Sequence, residues 1–441
     1  MGTALDRIDV KMQGVLWAGT AKEKPFSSTP LEADKDVDLV VVGAGFAGLS
    51  IALHAAKAGL SVVVLEAGIV GVGASGRTGG YAVPHFPGAK KPSDVEKLLG
   101  KKKADKLISL VAGGPTWMFD QIDQYQIACD PLKKGWAQPA HSDKALAKIK
   151  AVYGEWKALG LDVEWIDGPD VKSTLGASGY LGAWRNPTGG AVQPFALCLG
   201  LARAATQEGA VIHEMSPVSR VRHQDGKATV QCNGHVVTAK KIVIATNGYT
   251  DPLTPNLEKS GIAVRLFHCA TEPLSQEVLD TILPQRTCFT DLRKSGGFCR
   301  CDPDGRIISG GAVFSVPGAE GYGLGHARKR MYTLFPELEQ VNPKIETYWE
   351  GYCSITDSYL PSCQVVDKDI FSLIGFSTRG VALAQTMGKI VGEFAADKCG
   401  LDDIPLEVVE GTRSISMHGV KERVGRLIFP YYQAMDRFGL S

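Results

Sequence analysis

Neither sign of charge prevails in this chain. Over 441 residues, 48 Lys and Arg stand against 47 Asp and Glu, a net charge of +1. The global basic footprint of a nucleic-acid binder is missing, and no such partner is expected. The longest basic cluster, Lys101-Lys102-Lys103, reads as a solvated helix face. No unbroken apolar window is long enough to span a bilayer, and residues 1–35 interleave Asp and Glu without the apolar core of a signal peptide. A soluble, cytoplasmic protein without a transmembrane segment is expected. The 10 Cys form no Cys-x-x-Cys pair and no Cys/His ligand spacing, so no metal is expected and most thiols read as reduced core residues. Cys299-x-Cys301 has the period of a strand, which puts both thiols on one sheet face. Internal repeats and low-complexity segments are absent too.

What the chain has in quantity is glycine, 51 residues, and its placement carries the argument. The apolar run 39–42 feeds directly into Gly43-x-Gly45-x-x-Gly48, and Phe46 and Ala47 open a helical pattern with Leu49, Leu53 and Ala56 on one face. A second apolar run, 61–65, ends in Glu66-Ala67. Strand, Gly-rich turn, helix, strand and acid follow in the order that a dinucleotide-binding unit requires. Gly43 permits the tight turn, Gly45 lets backbone approach a pyrophosphate, and Gly48 lets helix and strand pack closely. The helix N-terminus offers free N–H groups and positive partial charge, and Glu66 suits the ribose hydroxyls. A second Gly-rich stretch, 68–80, starts where Glu66 is delivered. It reads as a flexible loop or, preferably, as a second cofactor contact.

Residues 1–36 read as an extension lying against the body without regular structure, given Trp17, Pro25 and Pro30. Helical periodicity runs over 93–125, with Ser93 and Glu96 as a capping box, and again over 142–159 and 194–207; residues 165–193 read as loop. Short strands at 211–213, 218–221, 228–231 and 236–237 precede the buried run 241–245 and the turn Thr246-Asn247-Gly248. Strands at 262–271, 287–292, 296–301 and 306–310 follow, with Asp302-Pro303-Asp304-Gly305 as a hairpin signal; this is an antiparallel sheet. A helix at 327–335, strands at 345–353 and 371–375, and a helix at 381–397 complete the pattern. Residues 414–441 form a tail without an assigned place.

A nicotinamide enzyme typically adds further βα units after the first, whereas this chain returns twice to the same sheet and gives its middle to antiparallel strands. In this it resembles the FAD-dependent amine and amino-acid oxidase superfamily of glycine, sarcosine and D-amino-acid oxidases. Four stretches carry the resemblance: Val40 to Glu66, Gly73 to Gly80, Ile244 to Gly248 and Gly375 to Gly380. Within that superfamily it is similar to the bacterial γ-glutamylputrescine oxidase-like group. The shared features are GASGRTGG (that group has GASGRNGG), Thr271-Glu272-Pro273-Leu274, Asp304-Gly305-Arg306 with Gly310-Gly311, and Trp349-x-Gly351 with Thr356 and Leu360-Pro361. The fold class implied is α/β with mixed α+β character, a Rossmann-type FAD-binding domain interleaved with an antiparallel-sheet substrate domain. The FAD-binding domain would comprise 37–95, 194–250 and 345–410, and the substrate domain 96–193 and 251–344, between the extension 1–36 and the tail 411–441.

The resemblance implies roles. Ser75, Gly76, Arg77, Thr78, Gly79 and Gly80 would lie along the pyrophosphate and flavin, and Val218 would face the adenine through its backbone. Ala245, Thr246, Asn247 and Gly248 would form a further turn against the cofactor. Gly375, Ser377, Thr378, Arg379, Gly380 and Val381 would aim a helix N-terminus at the pyrimidine edge of the flavin, which is negatively charged when reduced. Thr378-Arg379-Gly380 departs from the group's Gly-His-Gly. Arg379, always charged, either stabilises that anion or points to solvent. Tyr81, His85 and His268 are the other catalytic candidates, although a lone His in such a place is more often a packing or hydrogen-bonding residue than a base. The implied reaction is oxidation of a C–N bond in an amine or amino-acid derivative, with hydride passing to the flavin, the imine hydrolysing, and O2 as acceptor. The alternatives are a dehydrogenase serving a quinone or electron-transfer protein, and a flavoprotein that binds FAD for structure. Cys353 stands one place short of the position where sarcosine oxidases link their flavin, so noncovalent FAD is expected. Ile308 occupies the place of their oxygen-activating Lys, and Val83 and Ala382 the places of their carboxylate clamp, with Arg265, Arg293 and Arg300 as other possible carboxylate partners.

Overall fold

Alternate residues of the first strand feed two different cores. In Lys35–Val42, Leu39 and Val41 enter one cluster while Val40 and Val42 enter another. Val62 and Val64 divide likewise from Val63 and Leu65, and Val243 from Ile242 and Ile244. A strand buried on both faces must be apolar throughout, which is why these segments read as unbroken hydrophobic runs. The computed structural model describes residues 10–312, 318–427 and 429–438. In it the sheet runs in the order Glu407–Glu410, Ser362–Asp367, Ile370–Ile374, His235–Ile244, Lys35–Val42, Val62–Leu65, Val211–His213. The strands from Ile370–Ile374 onward are parallel, and Ser362–Asp367 is antiparallel to its inner neighbour.

The runs read separately at 236–237 and 241–245 are one strand, His235–Ile244. It pairs in parallel with Lys35–Val42 and, through its first half, antiparallel with Lys227–Cys232. On one face, helix Phe46–Lys57 packs against helix Gly380–Ala395. Ser50 Oγ donates to the Gln385 carbonyl at 2.6 Å. A Cβ on Gly388 would stand 2.8 Å from the Ala47 carbonyl oxygen, so a side chain there would push the two helices apart.

The second sheet runs Ile345–Ile355, Ile262–Thr271, Ile307–Ala312, Phe298–Cys301, Cys288–Thr290, Trp136–Pro139, Gly182–Asn186, Glu164–Asp167. It is antiparallel except between Cys288–Thr290 and Trp136–Pro139. The expected hairpin closes with Asp302 N donating to Arg306 O at 3.0 Å. Two expectations need correction here. Residues 165–193 are not a loop: they carry two of these strands and helix Gly168–Leu175. The strand placed at 345–353 with the nucleotide-binding part pairs instead along Ile262–Thr271, from Ile262↔Ile355 to Thr271↔Ile345. Apolar alternation shows which face of a strand is buried, not which sheet receives it.

The helical run over 93–125 breaks at Gly100 (φ +73) into Pro92–Leu99 and Lys101–Gln124. The capping box at Ser93 and Glu96 does not form. Pro92 starts the helix earlier, Asp94 accepts the Lys91 N–H at 3.1 Å, and Ser93 Oγ donates to Glu155. The helix expected over 142–159 forms as Asp143–Ala158, with Ser142 as its cap. The extension contains a short helix, Leu16–Thr20. Its buried Trp17 donates to Thr78 O at 2.8 Å and accepts from Gln193 Nε2 at 2.6 Å, bracing the second Gly-rich segment. The tail forms helices His418–Leu427 and Phe429–Arg437. The latter is fixed by buried Phe429 beside His326 and by Asp436, which accepts the Lys294 and Ser295 N–H groups. No described helix is long and apolar enough to cross a membrane.

Candidate active site

A cavity of about 870 Å³ opens along the C-terminal ends of the parallel strands and runs to the antiparallel sheet. Its nucleotide-side wall is the Gly-rich turn with Gly43, Gly45, Phe46 and Ala47, followed by Glu66 and Ala67. Gly48 stays behind this wall: its Cβ would lie 1.9 Å from the Gly43 carbonyl oxygen, so turn and helix can close only over a hydrogen atom. Glu66 Oε2 accepts the Ala44 N–H at 2.7 Å and Oε1 the Gly68 N–H at 3.0 Å. A carboxylate offers about four acceptor sites, so capacity remains for two ribose hydroxyls. A Cβ on Gly45 would meet Ser75 Oγ at 2.8 Å, and that hydroxyl accepts the Phe46 N–H at the helix start. An open helix N-terminus beside an acid with spare lone pairs fits an adenine dinucleotide.

The second Gly-rich segment curls into a one-turn helix, Ala74–Arg77. Ser75, Arg77, Thr78 and Gly79 line the cavity, whereas Gly76 and Gly80 pack behind it against the Gly71 and Val192 carbonyls. Arg77 is buried, with Nε donating to Val72 O at 2.8 Å and Nη1 to Glu350 O at 3.2 Å, so this cation ties the turn to the second sheet. Val218, Ala245, Thr246 and Asn247 line the wall, and Gly248 packs on the Tyr352 carbonyl. Asn247 Oδ1 accepts the Gly375 N–H at 2.9 Å, joining two turns; Gly375 itself is behind the wall. Ser377, Thr378, Arg379, Gly380 and Val381 line the far end, with Ser377 and Thr378 at positive φ and Arg379 at the N-cap of helix Gly380–Ala395.

Arg379 Nη2 donates to Thr290 Oγ1 at 3.2 Å, while its buried Nε has no hydrogen-bond partner among the described residues. Burial draws its pKa down to about 10, so it remains a cation at neutral pH. His268 lines the cavity, stacked on Trp349 at 5.5 Å, and burial, aided by Arg300, takes its imidazole down to about 3. Tyr81 is a lining residue whose buried hydroxyl has no partner among the described residues, and burial holds its pKa well above the ordinary value. His85 is corrected: it lies outside the lining, 1% exposed, packed 4.3 Å from the Trp136 ring.

Other expected positions also move. Cys353 lines the cavity with Gly351 and Ile355, so the one-place offset does not turn it away. Its thiol is instead pushed up to about 12 by burial, leaving little thiolate to attack a flavin. Ile308, Val83 and Ala382 are buried and do not line the cavity. Arg265 is engaged by Glu350 at 2.6 Å, Arg293 by Asp291, and Arg300 by the Gly79 and Val192 carbonyls. Thr290, Tyr249 and four lysines in the wall were not foreseen. Nothing in their local sequence distinguishes them from other surface and strand residues.

The FAD dependent oxidoreductase (DAO) family matches residues 38–394, and the chain belongs to it. It is 31% identical over 427 residues to the probable oxidoreductase OrdL of Haemophilus influenzae, covering 95% of this chain and 96% of that protein. It is 31% identical over 379 residues to the gamma-glutamylputrescine oxidoreductase of Escherichia coli, covering 85% and 87%. Among solved structures, glycine oxidase from Geobacillus kaustophilus shares the fold, with a TM-score of 0.69 at 20% identity over 83% of this chain and 96% of that one. The cofactor is FAD, and the chain is an oxidoreductase.

Substituting Gly45→Val fills the pyrophosphate approach, and the purified variant is expected to carry no flavin. A visible spectrum with full flavin content after desalting would contradict the assignment. A second expectation concerns pH. Burial raises the Glu66 carboxyl in the FAD-free protein, partly offset by the Gly68 and Ala44 N–H groups. Ribose hydroxyls donate to the ionised form, so bound FAD lowers this pKa. The contribution to affinity is complete above the raised pKa and is lost as pH falls through it. The Kd for FAD should therefore rise toward acid pH, and Glu66→Gln should flatten that limb; an unchanged slope in the variant would assign it elsewhere. Third, because Cys353 is held as a thiol, acid precipitation should leave all yellow colour in the supernatant. Flavin in the pellet would show a covalent link.

Proposed function

We propose that this enzyme oxidises a C–N bond of an amine or amino-acid derivative, giving an imine that hydrolyses in water, with O2 as electron acceptor. The observation that carries the reading is the chemistry of the wall where the cavity meets the antiparallel sheet. The His, Cys and Tyr side chains there are neutral at pH 7: His268 is drawn down to about 3, Cys353 up to about 12, and Tyr81 well above its ordinary value. Such a wall suits hydride loss from an amine that arrives deprotonated, a step limited by positioning rather than by a strong base. FAD, when bound, supplies the two-electron acceptor. Arg379 and the N-terminus of Gly380–Ala395 place positive charge at one end of this region, where negative charge develops on reduction. The neutral ring of His268 and the phenol of Tyr81 shape the space and exclude water. The relatives named for oxidation of γ-glutamylputrescine and of glycine support the substrate class.

One observation favours a second reading, a dehydrogenase that passes electrons to a quinone or carrier protein. The strand position where related oxidases place a Lys holds Ile308, fully buried and outside the cavity. Anaerobic addition of amines should bleach the flavin, and aerobic turnover should yield peroxide in step with amine consumed. Bleaching with negligible peroxide but fast quinone reduction would select the dehydrogenase. Failure of every amine to bleach the flavin would refute C–N oxidation.

A further inference from the structure

The exposed end of the same cavity is lined by Lys90, Lys144, Lys148 and Lys294. They come from separate elements: Lys90 follows the turn Pro87–Ala89, Lys144 and Lys148 lie one turn apart on helix Asp143–Ala158, and Lys294 sits between strands Cys288–Thr290 and Phe298–Cys301. Among the described residues, no ion pair includes Lys90, Lys148 or Lys294. Their charges act on one another. Burial first, then Lys294, Lys144 and Lys90, hold the Lys148 ammonium below its ordinary value, with only Asp94 opposing.

The acids nearby do not neutralise this group. Asp291 is taken by Arg293 and by Tyr180 Oη at 2.9 Å. Asp436 accepts the Lys294 and Ser295 backbone N–H groups. Glu66 and Asp251 belong to the nucleotide side, beyond Val62–Leu65 and His235–Ile244. Lys294 Nζ lies 5.2 Å from the centroid of Tyr432, another lining residue, so its position is defined. Deeper in, Arg379 presents a buried Nε that has no hydrogen-bond partner among the described residues, while Arg265, Arg293 and Arg300 are engaged. Like charges gathered along one wall of a cavity are unfavourable unless an anion joins them.

We propose that Lys90, Lys148 and Lys294 form an anion subsite that holds a carboxylate at the end of the substrate remote from the oxidised C–N bond. The inference rests on the reading of the cavity as an amine oxidation site and names its substrate class: an amine with a terminal carboxylate several bonds from the reacting carbon. On this reading small amino acids, whose carboxylate is on the reacting carbon, are poor substrates.

Three isosteric probes test this with the FAD-loaded enzyme: N-methyl-aminohexanoate with a carboxylate end, N-methylhexylamine with a neutral end, and N-methyl-hexanediamine with an ammonium end. The anionic probe should have the highest kcat/KM, through KM rather than kcat, and its advantage should shrink with added salt. In the double variant K148Q/K294Q, the preference for the anionic over the neutral probe should fall about tenfold. Equal or better use of the neutral or cationic probe, or a preference untouched by the double variant, would overturn the subsite. Calorimetric binding of hexanoate, which cannot be oxidised as an amine, separates the two claims. Loss of about tenfold in hexanoate affinity in K148Q/K294Q supports the subsite even if no amine bleaches the flavin. Hexanoate binding indifferent to the substitutions refutes it even if amines are oxidised.

Discussion

Two backbone N–H groups, of Ala44 and Gly68, share the carboxylate of Glu66, and the rest of the site depends on that arrangement. One donor belongs to the turn after Lys35–Val42 and the other to the segment after Val62–Leu65, so a single buried acid sets the distance between the two Gly-rich stretches. A second buried acid, Glu214, extends the scheme by accepting the Val70 and Ser28 N–H groups. Buried loops need partners for their N–H groups, and here anionic side chains serve where secondary structure cannot. Burial, with a smaller contribution from Glu214, raises the Glu66 carboxyl, so a cofactor that donates to Glu66 relieves part of the cost of placing the two acids together.

Charge is graded along the cavity. The nucleotide end holds an acid and two helix N-termini, the centre is lined by neutral rings and the Cys353 thiol, and the open end is basic. The parallel sheet supplies the first region because its strands and helices end there together, as open α/β sheets place their ligand sites. The antiparallel sheet supplies the second, and the turn at Pro87–Ala89, helix Asp143–Ala158 and the loop held by Asp436 supply the third. Arg379 stands between the first two regions, where a permanent cation is useful only to a group that becomes negative during reaction or to an anionic substrate.

The nucleotide half was legible in the sequence because its signals are local. Gly43, Gly45, Gly48 and Glu66 lie within one strand–helix–strand unit, and the physical reasons for each are stereochemical. The wall residues Ala245, Thr246 and Asn247 followed a recognisable buried strand. Legibility failed where a residue's role depends on distant packing. His85 looks like its fellow candidates until Trp136 and Trp184 are seen to enclose it. Cys353 was judged by strand parity, but the strand belongs to the other sheet, and the cavity meets it at Gly351, Cys353 and Ile355. The lysines of the open end come from three elements whose meeting no local pattern records. Residues 165–193 read as loop because their strands are short and rich in Gly and polar residues, and pairing alone makes them strands.

The strand order carries a consequence for how the chain comes into being. Val40 pairs with Ile242 on one side and Val63 on the other, and Ile242 in turn pairs with Ile370. During synthesis, Lys35–Val42 and Val62–Leu65 emerge long before the strands that cover their open edges. An apolar, β-branched pair must therefore wait with both edges unpaired, one for His235–Ile244 and the other for Val211–His213, the condition under which nascent sheets associate with one another instead of folding. The middle of the chain, built into the antiparallel sheet, is made during that wait. The interleaving that lets one cavity draw on both sheets thus makes the protein slow to complete and dependent, while incomplete, on protection from its neighbours.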